Sequence, residues 1–66
     1  MSRHLELKGR RFYIVSEPNG ETWIAVIGEA QKDGSSYPLG IEAYAETRGA
    51  ADDAAERKLR RLLQAY

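Results

Sequence analysis

Few side chains in this chain of 66 residues have the chemistry for catalysis or metal binding. There is no cysteine, which excludes disulfides, thiolate nucleophiles and thiolate metal sites. The single imidazole, His4, lies near the N-terminus, where no fixed neighbour is predicted to orient it as a general base. Asp52 and Asp53 are adjacent on a predicted helix, so their carboxylates point about 100° apart and do not readily chelate one ion. We therefore expect no enzymatic activity, no metal and no cofactor.

The basic side chains are the one group of charged residues that suggests a function. They lie near the N-terminus and along the C-terminal segment, and the candidates for nucleic-acid binding are Arg10, Arg11, Arg57, Lys58, Arg60 and Arg61. A basic face of this kind could contact phosphates. Ten basic and ten acidic residues cancel, however, so long-range attraction to nucleic acid would be weak. The alternative is that these cations are solvated and pair with Asp53 and Glu56.

Aromatic side chains offer a second kind of contact. The chain has one Phe, four Tyr and one Trp. On an uncovered sheet face they could stack on the bases of a single strand, but more often they form a core or an interface. For a small chain without disulfides, association through such a face is their simplest structural use. We take Tyr13, Trp23 and Tyr44 as candidate protein-interaction residues, the partner being a second copy or an unidentified protein.

Three strands and a helix are predicted to position these side chains. Runs rich in β-branched, aromatic and alternating apolar residues predict strands at 11–16, 21–27 and 37–45. Glu17-Pro18-Asn19-Gly20 predicts a tight turn after the first strand, and Asp33-Gly34 the tip of the next loop. Pro38 indicates that the third strand lies at an edge or begins after it. Residues 1–9 are expected to be a frayed arm or a short extension of the first strand.

The segment 50–66 is the strongest helix prediction, because it has no Gly, Pro or β-branched residue. Helical periodicity places one apolar stripe on it, made of Ala51, Ala55, Leu59, Leu62 and Tyr66, with Leu63 beside it. Thr47 is the expected N-cap, and Gly49 is the alternative if the helix begins later. Favourable i,i+4 ion pairs are expected between Asp53 and Arg57 and between Glu56 and Arg60.

These elements predict one small α+β domain over residues 1–66. It is a three-stranded antiparallel meander with one C-terminal helix packed across one face (β-β-β-α). The uncovered face carries Tyr13 or Trp23, depending on which side the helix takes. No apolar run approaches the ~20 residues of a membrane span, and the N-terminus has no apolar signal region. We therefore expect a cytoplasmic protein without a membrane partner.

Several stretches resemble small bacterial domains of the HicB-like kind. The matching residues are Phe12-Tyr13-Ile14-Val15, Trp23-Ile24-Ala25-Val26, and Thr47 followed by the alanines of the helix. The resemblance implies the same order of elements and an antitoxin role, although the Pro-x-Leu-Pro-Gly stretch usual in such domains is replaced by Tyr37-Pro38-Leu39-Gly40. The chain equally resembles short βββα proteins of unknown function from proteobacteria.

A sheet followed by a helix is also similar to the second half of a double-stranded-RNA-binding domain. The helix entry is basic in that family and ends in Asp52-Asp53 here. From these observations we expect a small protein–protein interaction module without catalytic activity. The alternative is a weak nucleic-acid-binding module that uses the basic helix end and the N-terminal arm.

Overall fold

The computed structural model describes residues 2–64 and contains an antiparallel sheet followed by one helix. The elements are Ser2–Leu7 (β1), Arg10–Asn19 (β2), Thr22–Ala30 (β3), Ser36–Ala45 (β4) and Arg48–Gln64 (α1). The four strands lie in chain order, each antiparallel to the next. The predicted α+β class, antiparallel meander and C-terminal helix are confirmed. The prediction of three strands is wrong, because the sheet has four.

The additional strand, β1, forms from the segment that we expected to be a frayed arm or a short extension of the first strand. Leu7 pairs with Arg10, so Lys8 and Gly9 make a two-residue loop with φ angles of 53° and 76°. Two positive φ angles are the requirement of the type I′ turn, whose twist suits a hairpin. Lysine rarely adopts a positive φ, so the sequence signal for this turn is weak. Leu5 then packs against the core and holds the strand in place.

The turn between β2 and β3 lies later than predicted. Asn19 pairs with Thr22, so the loop is Gly20-Glu21, with Gly20 at a φ of 66°. Pro18 is part of β2 because β1 pairs only with residues 10–15, and Pro18 lies beyond the end of that ladder. Pro18 still pairs with Trp23 of β3, and a proline, which has no amide hydrogen, is tolerated where the other side of the strand is unpaired.

The third predicted strand corresponds to β4, and its predicted position at an edge of the sheet is confirmed. This strand also carries a β-bulge. Ile41 pairs with Ile27 while Pro38 pairs with Gly28, so two additional residues are accommodated on β4. Gly40, one of the two, has a φ of 74°, a conformation that favours glycine. The bulge keeps Ile41 and its alternate neighbours on the side of the sheet that faces the helix.

The core lies between one side of the sheet and α1. Its buried residues are Phe12, Ile14, Ala25, Ile27, Ala43, Ala51, Ala55 and Leu59. Four of these are alanines, two on adjacent strands and two on the helix, and their short side chains let the helix lie close to the sheet. The molecule is correspondingly thin, with a smallest extent of 16 Å.

The helix begins at Arg48, two residues before the predicted segment, and its predicted cap is confirmed. The Ala50 amide donates to Thr47 Oγ1 at 3.1 Å. Backbone pairing adds a 3.0 Å bond from the Ala51 amide to the Thr47 carbonyl oxygen. The bond to Oγ1 satisfies a donor that the first turn of a helix otherwise leaves unpaired, and the bond to the carbonyl oxygen is the first regular i→i−4 bond of the helix.

The apolar stripe of α1 is confirmed over Ala51, Ala55 and Leu59, which are fully buried. Leu62 departs from the prediction, because it is 41% exposed and Leu63 packs against the core. The reason lies in β1, which was not predicted: Leu7 and Leu63 line one small hollow together. Tyr66 lies outside the described residues.

Candidate protein-interaction surface

The sheet surface that α1 leaves uncovered, here called the open face, carries a group of apolar side chains. Alternation places the buried Ile14 and Ala25 toward the helix and their neighbours in sequence on the open face. The strand register brings five apolar side chains together at its centre: Tyr13, Val15, Ile24, Val26 and Tyr44. Val15 and Val26 are each 39% exposed, and Tyr44 is 56% exposed. A contiguous apolar patch of this kind is typical of a protein interface.

The ring of Tyr13 lies across the neighbouring strand at Gly28, its pairing partner. A β-carbon added at Gly28 would overlap the Tyr13 ring at Cζ and Oη and would lie 2.9 Å from Cε1. The missing side chain at Gly28 therefore makes room for the ring. Beside the ring is a shallow hollow, lined in part by Val26, Pro38 and Glu42. The open face therefore has both a hollow and an exposed apolar surface.

The three predicted interaction residues are divided between the two faces. Tyr13 and Tyr44 lie on the open face, whereas Trp23 lies on the side that the helix covers and packs against the core. The Arg48 guanidinium carbon is 4.7 Å from the centroid of the Trp23 ring, which is a cation–π contact. Trp23 therefore supports the start of the helix and is separated from the two tyrosines.

The outer edge of β4 is poorly suited to pairing with another strand. Pro38 has no amide hydrogen to donate, and the bulge at Gly40 interrupts the regular ladder. Lys58 Nζ donates to the Glu42 carbonyl oxygen at 2.7 Å. Proline, bulges and lysine are the devices with which natural sheets avoid edge-to-edge association. A partner would therefore find the open face more accessible than this edge.

Charged side chains border the apolar centre along β2. The open-face residues of this strand are, in order, Arg11, Tyr13, Val15 and Glu17. Arg11 is 80% exposed at its side chain, and its Nε lies 3.9 Å from Glu6 Oε2. Such an exposed and loose ion pair contributes little to stability. The row therefore has an accessible cation at one end and an exposed carboxylate at the other.

The predicted N-terminal cations do not form one basic surface. Arg10 lies on the opposite side of β2 from Arg11, with its guanidinium 5.2 Å from the centroid of the Phe12 ring. Its Nε and Nη2 donate to the Glu29 carboxylate at 2.8 and 2.6 Å. These hydrogen bonds lower the pKa of Glu29, so the carboxylate stays charged and the pair is neutral as a whole.

The helix cations are also partly engaged. The predicted pair of Glu56 and Arg60 is confirmed, with Arg60 Nη2 2.8 Å from Glu56 Oε2. Lys58 binds the β4 backbone, as described above. Arg57 and Arg61 form neither an ion pair nor a hydrogen bond with any of residues 2–64. Of the six predicted cations, two therefore form no ion pair or hydrogen bond within the described chain.

Sequence reasoning did not predict the contacts of Arg3, which joins β1 to the helix. Its Nη1 donates to Asp53 Oδ1 at 3.0 Å and to Glu56 Oε1 at 3.1 Å. The predicted pair of Asp53 with Arg57 is wrong, because within residues 2–64 Asp53 pairs with Arg3 instead. Only the strand pairing of β1 brings Arg3 to the helix, so local spacing could not indicate the contact.

Within residues 2–64, no three histidine, aspartate or glutamate side chains are grouped to hold a metal ion. His4 is exposed on β1. Asp52 is only 9% exposed. Its Oδ1 and the Ser16 Oγ are buried without a hydrogen-bond partner in the described part of the chain. Position 52 follows Ala51 at the margin of the apolar stripe, which was the available signal for its burial.

Comparison with known proteins adds no relative from which a function could be transferred. No protein-family model, no curated protein and no solved structure matches the chain. The HicB-like resemblance therefore stays a prediction. In the part of the chain that the structure describes, no helix has the length and apolar character needed to cross a membrane.

Proposed function

We propose that this chain is a small protein-interaction module whose open face binds protein. The observation that supports the proposal is the apolar centre of that face, where Val15, Val26 and Tyr44 are exposed side by side. Apolar side chains on the outer surface of a one-helix sheet contribute little to the core, and a protein partner would remove them from water. The protected edge of β4 favours binding through the face over the addition of a strand at that edge.

Nucleic-acid binding has less support. The open face carries carboxylates at Glu17 and Glu42, which would repel phosphates. Among the helix cations, Arg57 and Arg61 are one turn apart and available. Salt-dependent binding to random DNA or RNA that disappears in the Arg57→Glu, Arg61→Glu variant would favour this second function over the first.

Site-specific photo-crosslinking tests the proposed function. Val26 is replaced by p-benzoylphenylalanine in one variant and the exposed Arg57, on the outer side of the helix, in a control. Illumination of cells that express the full chain is expected to give discrete protein adducts from position 26 and not from position 57. An additional Val15→Lys change, which places a charge beside the probe, should suppress the adducts. Equal adducts from the two positions, or none from position 26, would contradict the proposal.

A further inference from the structure

We infer that the partner on the open face is a second copy of this chain, stacked face to face. The two copies are related by a two-fold axis that lies between the two sheets and runs perpendicular to the strands. The inference rests on the proposed function and specifies its partner. The axis passes between the Tyr13–Gly28 pair and the Val15–Val26 pair, so β2 of one copy lies antiparallel over β2 of the other. An interface of this type uses the same surface on both subunits, and that surface must complement itself.

The row of open-face residues along β2 is complementary to the same row running in the opposite direction. It has a cation at Arg11, apolar residues at Tyr13 and Val15, and an anion at Glu17. Reversal by the two-fold axis places Arg11 of each copy over Glu17 of the other, and Tyr13 over Val15. The interface then contains two intermolecular ion pairs around an apolar centre, the arrangement that fixes the orientation of partners.

The neighbouring strand fits the same axis. On β3 the open-face residues Val26 and Gly28 pair with Val15 and Tyr13 of β2. The axis therefore brings Val26 of each copy over Gly28 of the other. Gly28 is covered by the Tyr13 ring of its own copy, and a shallow hollow lies beside that ring. The Val26 side chain of the other copy would therefore meet the Tyr13 ring and the hollow beside it, which gives the close apolar packing that interface centres show.

The open face is large enough for a stable dimer. Four strands about 4.8 Å apart, with lengths near 8 residues at about 3.3 Å per residue, give a face of roughly 500 Å² per copy. Two such faces remove about 1,000 Å² from water, which is the scale that a specific interface requires. Nearly aligned stacking of two twisted sheets is also a common packing geometry.

Charge exchange combined with sedimentation equilibrium tests the inference. The unmodified chain is expected to sediment at twice its 7.4 kDa mass. The variants Arg11→Glu and Glu17→Arg should each weaken dimerisation about tenfold or more, because each converts two attractive pairs into two repulsive ones. The combined variant, with both changes, should restore dimerisation.

The restoration separates contact between copies from any effect within one copy. Arg11 and Glu17 are six residues apart on one strand, about 20 Å, which is too far for a direct contact within the chain. Loss of the Glu6 contact accompanies Arg11→Glu and is not repaired by Glu17→Arg. The control Arg57→Glu changes the same charge on the outer side of the helix and should leave dimerisation unchanged. Circular dichroism confirms that every variant is folded.

Two results would overturn the inference. One is a folded chain that stays monomeric up to millimolar concentration, and the other is a dimer whose association constant is insensitive to both single reversals. A monomer that still gives photo-adducts from position 26 with a different protein would refute the second copy and leave the proposed function intact. A monomer without such adducts would refute both.

Discussion

Because of the contact between Tyr13 and Gly28, we predict that the effect of Gly28→Ala on stability changes sign when the Tyr13 ring is removed. Gly28 has no positive φ, so its backbone suits alanine, and Gly→Ala at such a site ordinarily stabilises by about 0.5–1 kcal/mol. Here the new β-carbon would overlap the Tyr13 ring and displace it. The variant Gly28→Ala should therefore destabilise the chain, and the same change should stabilise the Tyr13→Ala variant, which has no ring to displace.

The magnitude follows from the displaced ring. Moving one face of the Tyr13 ring off β3 exposes about 50 Å² of apolar surface, or roughly 1.2 kcal/mol, and a strained rotamer adds about 1 kcal/mol. The intrinsic benefit of alanine offsets part of this, which leaves a net loss of about 1.5 kcal/mol. For a chain of this length that lowers the melting temperature by about 6–12 °C.

Urea unfolding followed by the fluorescence of Trp23, the single tryptophan, measures all four combinations at one dilute concentration. Gly49→Ala is the matched control, because a β-carbon at Gly49 meets no atom within 4 Å. It should stabilise both backgrounds alike. Equal destabilisation by Gly28→Ala with and without the Tyr13 ring would show that the ring is not the cause, and our account of this contact would be refuted.

Two further predictions concern the helix. Thr47→Ala removes the side-chain acceptor of the Ala50 amide and should cost about 1 kcal/mol in urea unfolding, whereas Thr47→Ser should cost little; equal losses would contradict the capping role. Hydrogen bonds from Arg60, and also from Arg3, hold the pKa of Glu56 below its usual 4.5. Because the folded pKa is the lower one, this contribution to stability is complete above the unfolded value and is lost as pH falls through the folded pKa. Glu56→Gln should therefore flatten the acid side of the stability profile, and an unchanged slope would count against the ion pairs.

The parts of the fold that local patterns determine were predictable. Alternation along a strand places Phe12 with Ile14, and Ala25 with Ile27, on common faces, and all four residues lie in the core. Thr47 was predictable as a cap because capping depends on residues close in sequence. The strand β1 was not, because its turn places Lys8 in a conformation that lysine seldom adopts, and the contacts that stabilise it come from the distant helix.

The choice between the two sheet faces was also left open by the sequence, since both are apolar. The structure shows a physical reason for the outcome. Ala25 and Ala43 lie side by side on adjacent strands, and the helix alanines approach the sheet on that side. The open face has bulkier residues in the same region, including Ile24 and Tyr44, which would hold a helix further away.

The cations were the least predictable part of the candidate site, because their partners are distant in sequence. Arg10 meets Glu29, 19 residues away, only through the register of β2 and β3. A run of basic letters therefore overstates the free positive charge of the folded chain. The exposed apolar residues of the open face are not explained by pairing of this kind. These residues are therefore the strongest indication of a functional surface.

The identity of the open-face valines is difficult to explain by folding alone. Threonine has nearly the shape of valine and a comparable preference for strands, and its hydroxyl is suited to water. At a face left in water, threonine at positions 15 and 26 would serve the sheet as well and would reduce the risk of aggregation. Valine becomes favourable where the face is covered, because each methyl group then leaves water. The same residues that a solitary domain has little reason to keep are thus the ones that an interface would require.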